Sequence, residues 1–109
     1  MKIRVYQIAE ERDEKHLMFR CLETVLRENG KLPAEIYECV YEGELNAKTL
    51  EDVFYILNCC MPVDYSARSL SVSDVVEIVK SEEHSSFYYC DSFGFQHLPF
   101  DNTAIKRTN

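Results

Sequence analysis

Ser71-Val72-Ser73-Asp74-Val75-Val76-Glu77-Ile78-Val79 can be read in two ways, and the fold turns on which one holds. Val72, Val75, Val76 and Val79 recur at helical intervals, and Ser71 with Asp74 three residues later resembles a capping box built with a short acid. Against this, four of the five residues from Val75 to Val79 are Val or Ile. β-Branched side chains lose χ1 freedom in a helix and pack well on a pleated surface, so the composition predicts a strand. Downstream, Glu82-Glu83-His84-Ser85 reads as a loop leading into Phe87-Tyr88-Tyr89-Cys90. Asp91-Ser92-Phe93-Gly94 reads as a turn with Gly94 supplying positive φ, and Phe95 to Leu98 as a last short strand. With a strand at 75–79, the C-terminal part of the chain becomes an antiparallel meander.

Upstream, Thr49 is placed to cap a helix whose first turn carries Glu51 and Asp52, where the helix dipole favours anions. Leu50, Val53, Phe54 and Leu57 form one apolar stripe at i, i+3, i+4 and i+7, and all four are expected in the core. Asn58 and Pro62 stop this helix. Glu35 to Tyr41 alternates, with Ile36, Glu38 and Val40 on one face and Tyr37, Cys39 and Tyr41 on the other, so it predicts a strand ended by Glu42-Gly43-Glu44. Apolar residues at 17, 18, 21, 22, 25 and 26 predict a helix that stops at Asn29-Gly30. The competing reading there is a short strand at 17–21 with a helix only after it. Lys2 to Ile8 is rich in β-branched and aromatic residues and predicts a strand.

The resulting order, β-α-β-α-β-β-β, predicts an α+β domain: a small, mostly antiparallel sheet with two helices on one face. One domain is expected over residues 1–100, with residues 101–109, including Lys106-Arg107, as a flexible tail.

The chain has 109 residues, 12 Lys+Arg against 19 Asp+Glu, and a formal net charge of −7. That surface disfavours direct nucleic-acid binding, which relies on cations displacing the counterions of the polymer. The opening residues lack the apolar run of a signal peptide, and no stretch approaches the roughly 18 apolar residues of a membrane span. A cytoplasmic location with no membrane partner is expected. Five cysteines at irregular spacing (Cys21, Cys39, Cys59, Cys60, Cys90) fit neither a disulfide framework nor paired metal ligands. They read as small buried hydrophobes.

Chemistry is sparse. Gly30, Gly43 and Gly94 stand too far apart for a phosphate loop. His16, His84 and His97 lie in different elements, and a Cys90–His97 nucleophile pair has nothing in the spacing to support it. No cofactor or metal is implied. Arg68-Ser69-Leu70-Ser71-Val72-Ser73-Asp74 is the most unusual segment: either its hydroxyls close a turn onto nearby amides, or it presents Arg68 to a ligand. The aromatic run at 87–95 lacks interleaved cations, which suits a protein partner better than a nucleic acid.

Several stretches taken together resemble the YodL-like domain family. They are Lys2-Ile3-Arg4-Val5-Tyr6-Gln7-Ile8, Arg12-Asp13, Ile36-Tyr37, Val40-Tyr41-Glu42-Gly43, Thr49-Leu50-Glu51-Asp52-Val53, Asn58, Pro62, the block from Arg68 to Val76, and Tyr89-Cys90-Asp91-Ser92-Phe93-Gly94-Phe95. The resemblance runs over residues 1–101 and departs at 16–34, where the family is less helical. It implies an association with conjugative and other mobile elements of Gram-positive bacteria and carries no activity, nucleophile, metal or cofactor. The expected function is a non-catalytic accessory or binding domain acting on another protein, with Arg68, Asp91 and Phe93 as candidate partner-binding residues. The alternative is an accessory to nucleic-acid processing or anti-restriction.

Overall fold

The computed structural model describes residues 1–107. Strands β1 (Lys2–Ile8), β2 (Tyr37–Glu44), β3 (Val75–Val79), β4 (Ser85–Cys90) and β5 (Phe95–Leu98) form an antiparallel sheet. A short β6 (Lys106–Arg107) joins it in parallel beside β2, giving the order β5-β4-β3-β1-β2-β6. Helices α1 (Leu22–Asn29) and α2 (Leu50–Cys59) complete an α+β domain in the expected order. The Val-rich segment is the strand β3, one of the two central strands of the sheet, and its first three residues are buried.

The two helices do not share a face of the sheet. Val53 and Leu57 of α2 pack with Ile3, Val5 and Val76. Val25 of α1 packs with Tyr6, Ile8, Val75 and Tyr89. Val5 and Tyr6 are consecutive in β1, as are Val75 and Val76 in β3, and successive strand residues point to opposite faces. The sheet is therefore covered on both sides, one helix to each.

A β-bulge supports this arrangement. Val5 faces Tyr41 across the β1–β2 ladder, but Tyr6 faces Cys39, which leaves Val40 as an extra residue. The extra residue reverses the alternation, so Tyr41 joins the α2-side core while Tyr37 stays on the α1 side. The regular alternation read over 35–41 put the two tyrosines on one face and is corrected here. Two boundaries also differ: Ala34–Ile36 is a 3₁₀ turn preceding the strand, and Glu42-Gly43-Glu44 continue β2 instead of ending it.

α1 begins at Leu22, not at Leu17, and residues 17–20 are neither helix nor strand. The Asp13 carboxylate accepts the N–H groups of Leu17 (2.7 Å) and Met18 (3.0 Å), while His16 and Phe19 take positive φ of 54° and 69°. Leu17 is buried by this looped path, which satisfies its hydrophobicity without a helix. Gly30 ends α1 in the left-handed conformation at φ 81°, as its position suggested.

α2 has the expected N-terminus: Thr49 Oγ1 accepts from Asp52 N–H (3.1 Å) and Asp52 Oδ2 accepts from Thr49 N–H (3.2 Å). Of its stripe, Val53 and Leu57 are fully buried and Leu50 is partly so. Phe54 is 41% exposed, at the margin of the stripe that the sheet does not reach. At the C-terminus, Asn102–Ala104 forms a 3₁₀ turn and Ile105 is buried on the α1 side. The segment expected to be a flexible tail thus contributes to the core before β6, and its residues 108–109 lie outside the described residues.

Candidate functional site

β1 and β4 end, and β3 begins, at one end of the sheet, since β3 runs antiparallel to both neighbours. The loops around residues 9–21, 60–74 and 91–94 therefore emerge together. All three candidate residues from the sequence lie in this cluster.

Arg68 is held by its backbone. Its carbonyl accepts from Gln7 Nε2 (3.0 Å) and from the Tyr65 hydroxyl (2.5 Å). The guanidinium is exposed, donates to the carbonyl of Ile8 at 3.1 Å, and borders an open groove of about 530 Å³ with Glu10, Asp13, His16, Met18 and Phe19. Beneath it, Asp74 closes the turn by accepting Ser71 N–H (2.8 Å) and Gln7 Nε2 (3.1 Å) on Oδ2. Its Oδ1 is buried with no hydrogen-bond partner, and burial pushes the carboxyl up to about 7 against the opposing pull of these bonds. Ser73, at φ 87°, accepts Phe19 N–H on Oγ (2.9 Å) and the Tyr37 hydroxyl on its carbonyl (2.6 Å). In the serine-rich segment, Ser71, Ser73 and Asp74 thus close a turn, and Arg68 alone among its charged groups is left at the surface.

Asp91 and Phe93 occupy the β4–β5 turn. Asp91 Oδ1 accepts the first amide of α1, Leu22 N–H, at 3.2 Å and Ser92 N–H at 2.8 Å, which ties the turn to that helix. Gly94 takes φ 79°, and Asp91 N–H donates to its carbonyl at 2.9 Å. Phe93 stands at the tip, 94% exposed. Beside the turn lies a cleft of about 290 Å³ lined by Glu51 and Phe54 of α2 on one side and Cys90, Asp91, Ser92, Gly94 and Phe95 on the other. Arg68 borders the groove and Asp91 the cleft, so they are brought to one end of the domain but into different depressions. Phe54 is the residue that sequence reasoning missed, because a helical stripe does not disclose which of its flanks the sheet covers.

Cys90 is buried at the end of β4, and burial, with Asp74 and Asp91 adding, pushes its thiol up to about 12. That is the reverse of what a thiolate nucleophile needs. His97 packs its ring against Tyr88 at 5.1 Å. Burial was expected for every cysteine. Cys21 and Cys39 are half-buried, and Cys59 and Cys60 are exposed, because the end of α2 turns away from the Leu57 face. Among the described residues no group of three His, Cys, Asp or Glu could hold a metal, and no helix is long and apolar enough to cross a membrane.

No curated protein and no solved structure matches this chain. The family model described as the YodL-like domain matches residues 2–100, nearly the whole described fold, and the chain belongs to that family.

Proposed function

We propose that this domain is a non-catalytic binding module that engages a protein partner through the β4–β5 turn and the cleft beside α2, as an accessory of a bacterial mobile or conjugative element in the cytoplasm. The observation that carries the reading is Phe93: a large aromatic side chain, 94% exposed, on a turn anchored by Asp91 to α1. An isolated surface aromatic is common, but this one neighbours a cleft walled by a second half-exposed aromatic, Phe54. A rigid turn loses little conformational entropy on binding, and aromatic anchors next to a pocket dominate interface energetics. Arg68 adds a fork-shaped donor at the same end, suited to a carboxylate on the partner.

Co-purification from the native host, compared across variants, tests the reading. Phe93→Ala is expected to weaken capture of a specific partner about tenfold or more with the melting temperature unchanged. Arg68→Ala is expected to weaken it less, and more at low salt than at high salt. Equal capture by wild type and Phe93→Ala overturns the assignment of the turn. Direct, steeply salt-dependent binding of duplex DNA by the isolated domain would support the nucleic-acid alternative instead.

A further inference from the structure

Cys59 is the last residue of α2 and Cys60 its C-cap, and both thiols are exposed. The backbone that carries them is well held. Cys60 N–H donates to the Ile56 carbonyl at 3.0 Å, and the Asn58 amide donates to the carbonyls of Phe54 (2.9 Å) and Leu70 (3.0 Å). This last turn is thereby fastened to the 65–70 loop. Tyr55, one helical turn before Cys59, is 59% exposed, and the nearby Cys60 and Cys59 thiols raise its phenol above the ordinary tyrosine range. Two thiols and a phenol therefore meet at one accessible spot that neither the core nor the proposed partner surface uses.

Adjacent thiols can be satisfied in few ways. A direct disulfide is strained, because consecutive Cα atoms lie about 3.8 Å apart and unstrained bridges want roughly 4.4–6.8 Å. An enclosed structural zinc site wants four ligands, and among the described residues no group of three His, Cys, Asp or Glu is assembled. What remains is a thiophilic centre content with two sulfurs and large enough to span them.

We propose that Cys59 and Cys60 form a vicinal-dithiol site for trivalent arsenicals. With an organoarsenic oxide, both S–H bonds break, two As–S bonds form, and the oxygen leaves as water carrying both protons. Arsenic stays trivalent and no oxidant or reductant is required. Once one thiol has bonded, the second is delivered intramolecularly from the same fastened turn, so its effective concentration is high.

Phenylarsine oxide and the native full chain provide the test, with accessible thiols counted by a chromogenic disulfide reagent. Wild type is expected to take up one equivalent, to lose two accessible thiols, and to release the arsenical to a dithiol but not to a comparable amount of monothiol. Cys59→Ser and Cys60→Ser should each weaken uptake on the order of a hundredfold, while Cys21→Ser leaves it unchanged. Both positions are exposed, so the variants are expected to fold, which circular dichroism verifies. Uptake by either variant as tight as wild type, or equal stripping of wild type and variants by monothiol, would overturn the proposal.

Discussion

Gln7 and Asp74, on adjacent strands' ends, meet through a buried hydrogen bond from Nε2 to Oδ2 at 3.1 Å, and the same amide also holds the carbonyl of Arg68 at 3.0 Å. One neutral side chain of β1 thus couples the carboxyl under the serine-rich turn to the loop that presents the exposed cation. Asp74 is 1% exposed, and Arg68 nearby pulls its carboxyl down less than burial raises it.

Stability should depend on the protonation of Asp74. Its carboxyl rises from 3.8 to about 7 in the folded chain, so between these values the folded state holds a proton that the unfolded state has released. The stabilising proton is fully present below pH ~4 and is lost as the pH rises through about 7, a change on the order of 4 kcal/mol for this group alone. Denaturant melts from pH 4 to 8 should show stability falling across that window in wild type. Asp74→Asn should flatten this component, and an unchanged slope would remove Asp74 as its source.

Glu77 of β3 lies in the α1-side core and is 1% exposed, taking Tyr6 Oη at 2.5 Å and Arg4 Nη1 at 3.0 Å on its two oxygens. Arg4 also reaches Glu42 on β2 at 2.8 Å, so the charges run across three neighbouring strands. Removing one member of a buried, bonded pair leaves the other uncompensated. Glu77→Ala is expected to destabilise by about 3–5 kcal/mol in urea titration. Because burial and the Glu77 bond both raise the Tyr6 phenol, its alkaline ionisation should shift toward ordinary tyrosine behaviour in this variant.

Leu57 and Phe54 separate core from surface on α2. Leu57→Ala should cost about 2–5 kcal/mol by opening a cavity against Ile3, Val5 and Val76. Phe54→Ala should cost less than about 1 kcal/mol, since much of the ring already meets water. Comparable losses would mean that the cleft beside α2 is closed in solution.

Gly43 carries the ring of Tyr41, and a Cβ at this position would collide with the Tyr41 hydroxyl and ring. Tyr41 also packs edge-on against Tyr65, at 5.1 Å between centroids, so it has little freedom to retreat. Gly43→Ala is therefore expected to destabilise by about 1–3 kcal/mol in thermal or urea melts. An unchanged midpoint would show that Tyr41 can turn aside.

The sequence by itself determined the elements whose signals are local. β-Branched density made Val75–Val79 a strand, Thr49 and Asp52 set the start of α2, and Gly30 and Gly94 marked the positions needing positive φ. These features depend on backbone sterics and on bonds that span a few residues, so neighbours in the chain suffice to read them. Phe93 in its turn was legible for the same reason, whereas the sequence left residues 68–74 open between a structural turn and a loop presenting Arg68. Tertiary structure alone decided which face each element covers. The bulge at Val40 moves Tyr41 to the opposite side of the sheet from Tyr37, and only the pairing with β1 reveals it. Likewise Ser73, 54 residues away in the chain, binds the amide of Phe19 and holds the looped path that precedes α1, while Phe54 and the two adjacent cysteines are left exposed on α2. Such outcomes are set by partners distant in the chain, and periodicity says that a residue has an inner or outer side without saying what lies opposite it.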